Sequence, residues 1–284
     1  MATSMANTVK WGITASIFNN ITGSIQQAYY YAKDLDSELT NIRMVTGAGA
    51  DEMERFAKNA NSISKDLGRS TLDYTKAATE YYRQGLSDEE VAARTEVTLK
   101  AQNITGAGSE MIDYITAVLN GFQVAADETE STLDKLAAVA DSSASDMSEL
   151  ATAMSKVAAT ANVMGVDVDQ LNAQIATVVA TTRLAPESVG TAFKTIYSRL
   201  NDIKTGADGA EVSLGRYSSQ MASLGFNVLD ANGNLRDTGD VIEEIGYSWQ
   251  NLTKEQQVYL ASVMGGQRQI TQVTALFDNW DKYV

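Results

Sequence analysis

Apolar residues recur every three to four positions along most of this chain, which is the spacing of an amphipathic helix. Residues 151–200 show it best, and their pattern predicts three helices joined by two tight corners. Gly165 ends the first helix, because glycine readily takes the left-handed conformation of a helix C-terminus. Asp167 and Gln170 then form a capping-box pattern, and Pro186 suits the first turn of the third helix. The first helix is predicted to run unbroken along the apolar positions Met147, Leu150, Ala151, Met154, Val157, Ala158, Ala161 and Met164.

A similar corner occurs earlier in the chain. Each corner has a stop glycine, then an apolar residue, then a cap residue, and an acid or amide three residues after the cap. The earlier corner consists of Gly85, Leu86, Ser87 and Glu90, and the later one of Gly165, Val166, Asp167 and Gln170. We interpret this as a weak internal duplication of a three-helix unit, with copies at about residues 71–122 and 149–200. Chance similarity is the alternative, because capping alone produces much of this pattern.

Helix patterns also cover the part of the chain before the first corner. They predict helices over residues 9–31 and 51–67, with a break at residues 45–50. Gly68 ends the second of these helices, and Ser70 is placed to cap the start of the next one.

Residues 226–237 are the one place where the sequence predicts β-structure. Asn232-Gly233 between apolar residues is a strong signal for a two-residue hairpin turn. Oxygen-bearing side chains in this turn also have the spacing of a calcium loop, but Val241 holds the position of the closing glutamate. We therefore predict a short hairpin without calcium. The remaining predictions for this part are a loop over residues 205–210 and helices over 212–224, 241–249, 253–264 and 267–280, the last two separated by Gly265-Gly266.

Together these patterns predict an all-α protein, a multi-helix bundle with an internally duplicated helical unit and one short hairpin near residues 226–237. The chain is expected to divide into three parts. Residues 1–47 form an N-terminal helical segment, residues 48–204 a helical core with two similar three-helix units, and residues 205–284 a C-terminal helical segment with the hairpin.

Composition narrows the chemistry available to the chain. The 284 residues include no histidine and no cysteine, so Ser-His-Asp, Cys-His and His-based zinc chemistries are excluded. The formal net charge of −14 opposes binding to nucleic-acid phosphates. The sequence contains no apolar run of the roughly 20 residues that a membrane span needs. We predict no catalytic, cofactor-binding or metal-binding residues, no specific nucleic-acid binding and no transmembrane span in this segment.

Several stretches in a fixed order resemble the conserved core of phage tail tape measure proteins, particularly those of long-tailed phages or prophages of Gram-positive bacteria. The ordered set carries the resemblance, and no single motif is specific. The stretches are LDSELTNIRMVTG (35–47), STLDYTKAATEYYRQGLSDEEV (70–91), DKLAAVADSSASDMSELATAMSKVA (134–158), APESVGTAFKTIYSRL (185–200), NVLDANGNLRD (227–237) and ASVMGGQRQITQVTALFDNWDKY (261–283).

The resemblance implies a structural virion protein that sets tail length, scaffolds tail-tube assembly and is released at genome ejection. It implies as partners the tail-tube protein, distal tail or baseplate proteins, tail assembly chaperones and further copies of the chain. The implied locations are the lumen of the virion tail and, during assembly, the host cytoplasm. Tape measure proteins are usually much longer, and some carry peptidoglycan-cleaving domains that nothing here matches. We therefore expect a fragment or excised domain of a longer protein.

Two other functions fit parts of the sequence. A helical secreted interaction protein, such as a translocator or adhesin, would share the amphipathic helices and the lack of cysteine. A cell-wall-cleaving tail enzyme could use a glutamate as its acid. Most of the 36 acidic residues fall at helix caps or on polar helix faces, which disfavours the enzyme.

Overall fold

A computed structural model describes residues 25–106, 108, 110–205 and 212–283 of the chain. Within these residues the chain forms fourteen α-helices and one two-stranded antiparallel sheet, so the predicted all-α fold is confirmed. Most of the helix predicted over residues 9–31 and most of the loop predicted over residues 205–210 lie outside the described residues.

The helices follow one another with short connections. The first are α1 (Ile25–Thr46), α2 (Ala50–Asp66), α3 (Thr71–Arg83), α4 (Asp88–Thr105) and α5 (Glu110–Gly121). Next come α6 (Thr129–Ser142), α7 (Met147–Ser155), α8 (Ala158–Val163), α9 (Val168–Thr182) and α10 (Pro186–Leu200). The last are β1 (Ile203–Thr205), β2 (Val212–Leu214), α11 (Arg216–Ala222), α12 (Thr238–Ser248), α13 (Lys254–Asp278) and α14 (Trp280–Tyr283).

Side-chain caps begin many of these helices at the places that the sequence predicts. Each cap oxygen accepts a hydrogen bond from the N–H three residues on, and that residue's side chain accepts from the cap's own N–H. Each such cap stabilises its helix by about 1 kcal/mol. The cap residues are Ser70, Ser87, Asp146, Asp167 and Thr253.

Contacts between residues group the chain into two compact units. The first contains Met1–Ile112 and Ala126–Glu130, and the second contains Asp113–Ala125 and Ser131–Val284. The three-part division predicted at residues 47 and 204 stays a prediction.

In the first unit, α3 is the central helix and packs against α1, α2 and α4. Its small residues Ala77 and Ala78 are fully buried, which allows the neighbouring helices to approach closely. The buried hydroxyl of Tyr81 shares a 2.7 Å hydrogen bond with Thr98 on α4, so its burial leaves no unpaired polar group at that point.

In the second unit, α9 is the central helix and packs against α7, α10, α13 and α14. Its residues Leu171, Ile175 and Val178 are completely buried. The Tyr197 hydroxyl on α10 donates a 2.8 Å hydrogen bond to the side-chain oxygen of Gln174 on α9, and both groups are buried. This bond satisfies two polar side chains that burial would otherwise destabilise.

The predicted unbroken helix through Met147 and Met164 is wrong, because the structure ends α7 at Ser155 and begins α8 at Ala158. Val157 between them has φ −130° and ψ −12°, outside the helical range. Two close backbone approaches flank this break. Gly190 of α10 lies against the carbonyl of Ala153, and Gly121 of α5 lies against Ala158. We attribute the break to these contacts, which helical periodicity cannot reveal.

The predicted helix over residues 212–224 is wrong at its start, where the structure has β2. This strand pairs antiparallel with β1, with Ile203 opposite Leu214. Asp202 stabilises the junction between β2 and α11 through two hydrogen bonds. Its backbone carbonyl accepts one from the N–H of Gly215 at 2.8 Å, and its carboxylate accepts the other from the N–H of Tyr217 at 2.7 Å. The strand depends on a partner segment, so local periodicity does not predict it.

The hairpin predicted over residues 226–237 exists in a minimal form, closed by a single antiparallel bridge between Leu229 and Leu235. Its turn is wider than the predicted two-residue type. The N–H of Gly233 donates to the carbonyl of Asp230 at 3.1 Å, and the Asp230 carboxylate accepts from the N–H groups of Asn232 and Asn234. The hydrogen bonds to the carboxylate, from Asn234 first and then Asn232, lower the pKa of Asp230 below its ordinary value.

The predicted separation at Gly265-Gly266 is confirmed. Although α13 continues through this point, Gly266 has φ 63° and ψ −173°, a conformation that is almost restricted to glycine. The kink changes the direction of the helix, so that buried residues on both sides of it reach the core. These residues are Leu260, Ala261, Val263, Met264, Val273, Leu276 and Phe277.

Candidate functional site

The sequence predicts no catalytic, cofactor-binding or metal-binding residues, and that expectation stays a prediction. Among the described residues, no group of three or more acidic side chains is placed to hold a metal ion. None of the helices in the described ranges is long and apolar enough to cross a membrane. The strongest candidate sites are a cleft in the first unit and two packed junctions in the second.

The cleft has a volume of about 490 Å³ and lies between the end of α1, the start of α2, α3 and the start of α4. Ile42, Met53 and Tyr74 line it with buried side chains. Phe56 forms one wall, with its ring centre 6.0 Å from the ring centres of both Tyr74 and Tyr82. This size suits the binding of a side chain or a small ligand, and polar atoms form the larger part of the exposed lining.

Polar groups lie around the rim of this cleft. The Tyr82 hydroxyl donates a 2.9 Å hydrogen bond to the Asp88 carboxylate at the start of α4. Glu52 accepts a 2.7 Å hydrogen bond from the N–H of Gly49 at the start of α2. Both carboxylates therefore already hold partners within the fold. The polar rim can orient a bound group, while the smaller apolar part of the lining adds contact area.

The two tyrosines of the cleft have raised pKa values. Burial raises the pKa of Tyr74 from 10.0 to about 12, with a smaller effect from the negative charge of Glu96. Burial, followed by the hydrogen bond to Asp88, raises the pKa of Tyr82 further.

We expect the first unit to lose stability at alkaline pH. Because the folded pKa values exceed the unfolded value of 10.0, the neutral tyrosines stabilise the fold fully below pH 10 and progressively less as pH rises toward about 12. At neutral pH the free energy of unfolding of the Tyr82→Phe variant should be about 1 kcal/mol lower than that of the wild-type chain. When the pH is raised above 10, the free energy of unfolding should decrease less in this variant than in the wild-type chain. Urea unfolding at several pH values measures this, with the exposed Tyr29→Phe as control. An identical alkaline loss in both variants would contradict the expectation.

The first junction in the second unit is the corner at Gly165, where the start of α12 docks. Thr238 N–H donates to the Met164 carbonyl at 2.8 Å, and Gly239 N–H donates to the Gly165 carbonyl at 3.1 Å. Gly165 has φ 68°, and a Cβ there would overlap the Asp237 carboxylate. The corner thus needs glycine both for its backbone conformation and for the close approach of α12.

The corner at Gly85 in the first unit matches the local geometry of Gly165 but not its surroundings. Gly85 has φ 79°, but a Cβ there would meet no atom within 4 Å. Both corners lead into capping boxes, at Ser87 and Asp167. The third helix of the first proposed copy, α5, belongs to the second unit from Asp113 onward. Superposition of the complete three-helix copies therefore stays a prediction.

The two corners provide a matched pair of substitutions. Gly85→Ala should lower the free energy of unfolding by about 1 kcal/mol, because alanine is strained at positive φ. Gly165→Ala should lose roughly 1–3 kcal/mol more, because its methyl group also displaces Asp237. Urea unfolding of both variants gives the comparison. Equal losses of unfolding free energy in the two variants would show that the contact between the Gly165 corner and the start of α12 does not contribute.

The second junction is built around Arg199 of α10. Its Nη1 donates to the carbonyls of Ser262 and Val263, at 3.4 Å and 3.1 Å, in the last turn before the kink of α13. Its guanidinium carbon lies 4.4 Å from the ring centre of Tyr217 on α11. The same group fills the space beside Gly266. Arg199 thus connects α10, α11 and α13.

Sequence reasoning missed the cleft, the close approach at Gly190 and the role of Arg199. A glycine inside a helix costs about 1 kcal/mol relative to alanine, so Gly190 within the apolar pattern of α10 was an available signal of close packing. Arg199 and the cleft carry no comparable signal, because each depends on elements far apart in the chain.

The comparisons with known proteins place the chain in a family. The model of the phage-related minor tail protein family matches residues 57–266. This match covers most of the chain and includes both glycine corners, the Gly190 contact and the kink at Gly266. No solved structure matches the chain. The chain belongs to the family of phage-related minor tail proteins.

Proposed function

We propose that this chain is the folded core of a phage tail tape measure protein, from a long-tailed phage or prophage of Gram-positive bacteria. In this role the full-length protein sets tail length, scaffolds assembly of the tail tube and leaves the tail at genome ejection. Its membership of the minor tail protein family carries the proposal. The ordered stretches that resemble tape measure proteins support the more specific role.

The helical architecture suits a compact block within a longer ruler. A continuous helix converts residue number into length at about 1.5 Å per residue. Here the short helix α8 and the corners at Gly85 and Gly165 interrupt any continuous rod. The chain instead buries a core around α9. We therefore assign length measurement to continuous helix elsewhere in the full-length protein, and assembly contacts to this block.

The proposed partners are the tail-tube protein, distal tail or baseplate proteins, tail assembly chaperones and further copies of the chain. The proposed location is the tail lumen, after assembly in the host cytoplasm. A net charge of −14 supports this location, because it weakens binding to the phosphates of DNA that passes through the tube.

The proposed role is mechanical, and we expect no catalysis from this block. The absence of histidine and cysteine and the placement of acids at helix caps support this expectation. The family match gives no support to a secreted translocator or adhesin. A peptidoglycan-clearing assay with the purified chain tests the cell-wall enzyme, and clearing would contradict the expectation of no catalysis.

Removal of the protein from an assembling phage tests the proposal. Without it, we expect either no tails or tube-protein polymers of variable length in electron micrographs. Complementation with the wild-type gene should restore uniform tails. Mass spectrometry should find the protein in full particles and show that it is lost after ejection. Uniform tails of normal length without the protein would reject the proposal.

A further inference from the structure

The chain contains two Asn-Gly dipeptides in different surroundings. Asn232-Gly233 lies in the exposed turn held by Asp230, whereas Asn120-Gly121 ends α5. We infer that Asn232 is a site of spontaneous deamidation and that the fold protects Asn120 from the same reaction. This inference does not depend on the proposed tape measure role.

The reaction needs only the chain and water. The backbone nitrogen of Gly233 attacks Cγ of Asn232, forming a new N–C bond and a five-membered succinimide. The side-chain amide nitrogen leaves as ammonia and takes the proton that Gly233 N–H gives up. Water then opens the ring at either carbonyl and produces aspartate or isoaspartate, without oxidation or reduction. Glycine favours the first step because it has no side chain to shield its nitrogen.

The turn around Asn232 leaves room for this ring closure. Asn232 and Gly233 are both exposed, and a Cβ on Gly233 would meet no atom within 4 Å. The attacking N–H is held by a single 3.1 Å hydrogen bond to the Asp230 carbonyl. The Asp230 carboxylate also accepts a 2.8 Å hydrogen bond from the backbone N–H of Asn232. Such solvent-exposed bonds in a short turn open at low free energy, so the reactive geometry is accessible.

The surroundings of Asn120 oppose the reaction although its side chain is also exposed. Gly121 is the last residue of α5, and a Cβ there would lie 2.6 Å from the Ala158 side chain and 2.7 Å from the Ala159 nitrogen. Helical geometry directs the Gly121 N–H toward the preceding turn and away from the Asn120 side chain. Reaction would require the last turn of α5 to unwind and leave its contact with α8.

Deamidation would change the turn locally. Isoaspartate adds one carbon to the backbone between positions 232 and 233, and it places a new carboxylate beside Asp230. The longer backbone and the repulsion between the two carboxylates would then weaken the hydrogen bonds that Asp230 accepts from the N–H groups of residues 232 and 234. We expect faster amide hydrogen exchange at Asn234 after deamidation.

Peptide mapping by mass spectrometry tests the inference on the purified full chain kept at mildly alkaline pH. The peptide containing Asn232 should deamidate at least roughly tenfold faster than the peptide containing Asn120, because the latter must first open packed structure. Protein isoaspartyl methyltransferase should label the Asn232 product. In heavy-oxygen water, each product should take up one solvent oxygen, as ring opening requires. In concentrated urea the two rates should converge.

Two matched variants assign the reaction to its residue. Asn232→Gln should abolish the fast reaction and leave the slow reaction at Asn120 unchanged, while Asn120→Gln should leave the fast reaction intact. Equal rates at the two sites in the folded chain would overturn the inference. A rate difference that persists in urea would overturn it as well, since local sequence and not the fold would then be the cause.

Discussion

The Gly190→Val variant should lose about 3 kcal/mol or more of the free energy of unfolding of the second unit. A Cβ at position 190 would overlap the carbonyl oxygen of Ala153 and lie 3.0 Å from the Cβ of Lys156. These atoms belong to α7 or its C-cap, whose backbone cannot rotate away as a flexible side chain could. The interior is densely packed, so α7 and α10 must separate to admit the valine.

Thr191→Val is the matched control for this variant. Thr191 follows Gly190 on the same helix but is exposed, so the variant places valine on α10 without a packing conflict. It removes only the exposed 2.7 Å hydrogen bond from the Thr191 hydroxyl to the Glu187 carbonyl. Urea unfolding followed by circular dichroism should show a change of at most about 0.5 kcal/mol in the control. Similar losses in both variants would mean that a valine on α10, and not the close contact with α7, determines the effect.

The Gly266→Ala variant should lose roughly 2–3 kcal/mol. The backbone conformation of Gly266, with φ 63° and ψ −173°, is strained for any residue that has a Cβ. The added methyl group would also lie 2.7 Å from Nη2 of Arg199. Gly225→Ala is the control, because Gly225 has φ 96° but a Cβ there would meet no atom within 4 Å.

A double-mutant cycle separates the two causes at the kink. Arg199→Ala alone should cost about 2 kcal/mol, through two lost hydrogen bonds to carbonyls and the lost contact with Tyr217. In the Arg199→Ala background, the cost of Gly266→Ala should fall by about 1 kcal/mol, because the steric conflict is gone. Strict additivity of the two losses in unfolding free energy would show that there is no steric conflict between Arg199 and a side chain at position 266.

The sequence predicted those features of the fold that depend on neighbours in the chain. Helices, their stop glycines and their caps follow from residues a few positions apart, and Ser70 and Asp167 act as caps where their spacing indicated. The kink at Gly266 was predicted for the same reason, since paired glycines weaken a helix whatever surrounds it.

The features that sequence reasoning missed depend on contacts between distant segments. The break before α8 lies between contacts made by Gly121 and Gly190. Strand β2 exists because β1 lies beside it. The cleft in the first unit combines the ends of several helices, and no stretch of sequence contains it. Family membership rests on the match of the family model over residues 57–266 and not on any single residue.

Deletion of residues 151–200 from the full-length protein tests most directly whether this stretch is a folded block. The deletion removes α8, α9 and α10 and with them the core around Ile175. We expect tail assembly to fail in electron micrographs, whereas an equal deletion from continuous helix elsewhere should shorten tails in proportion. Intact tails shortened by about 75 Å, the length of this stretch at 1.5 Å per residue, would show that the stretch itself determines tail length. That result would contradict its assignment as a folded core.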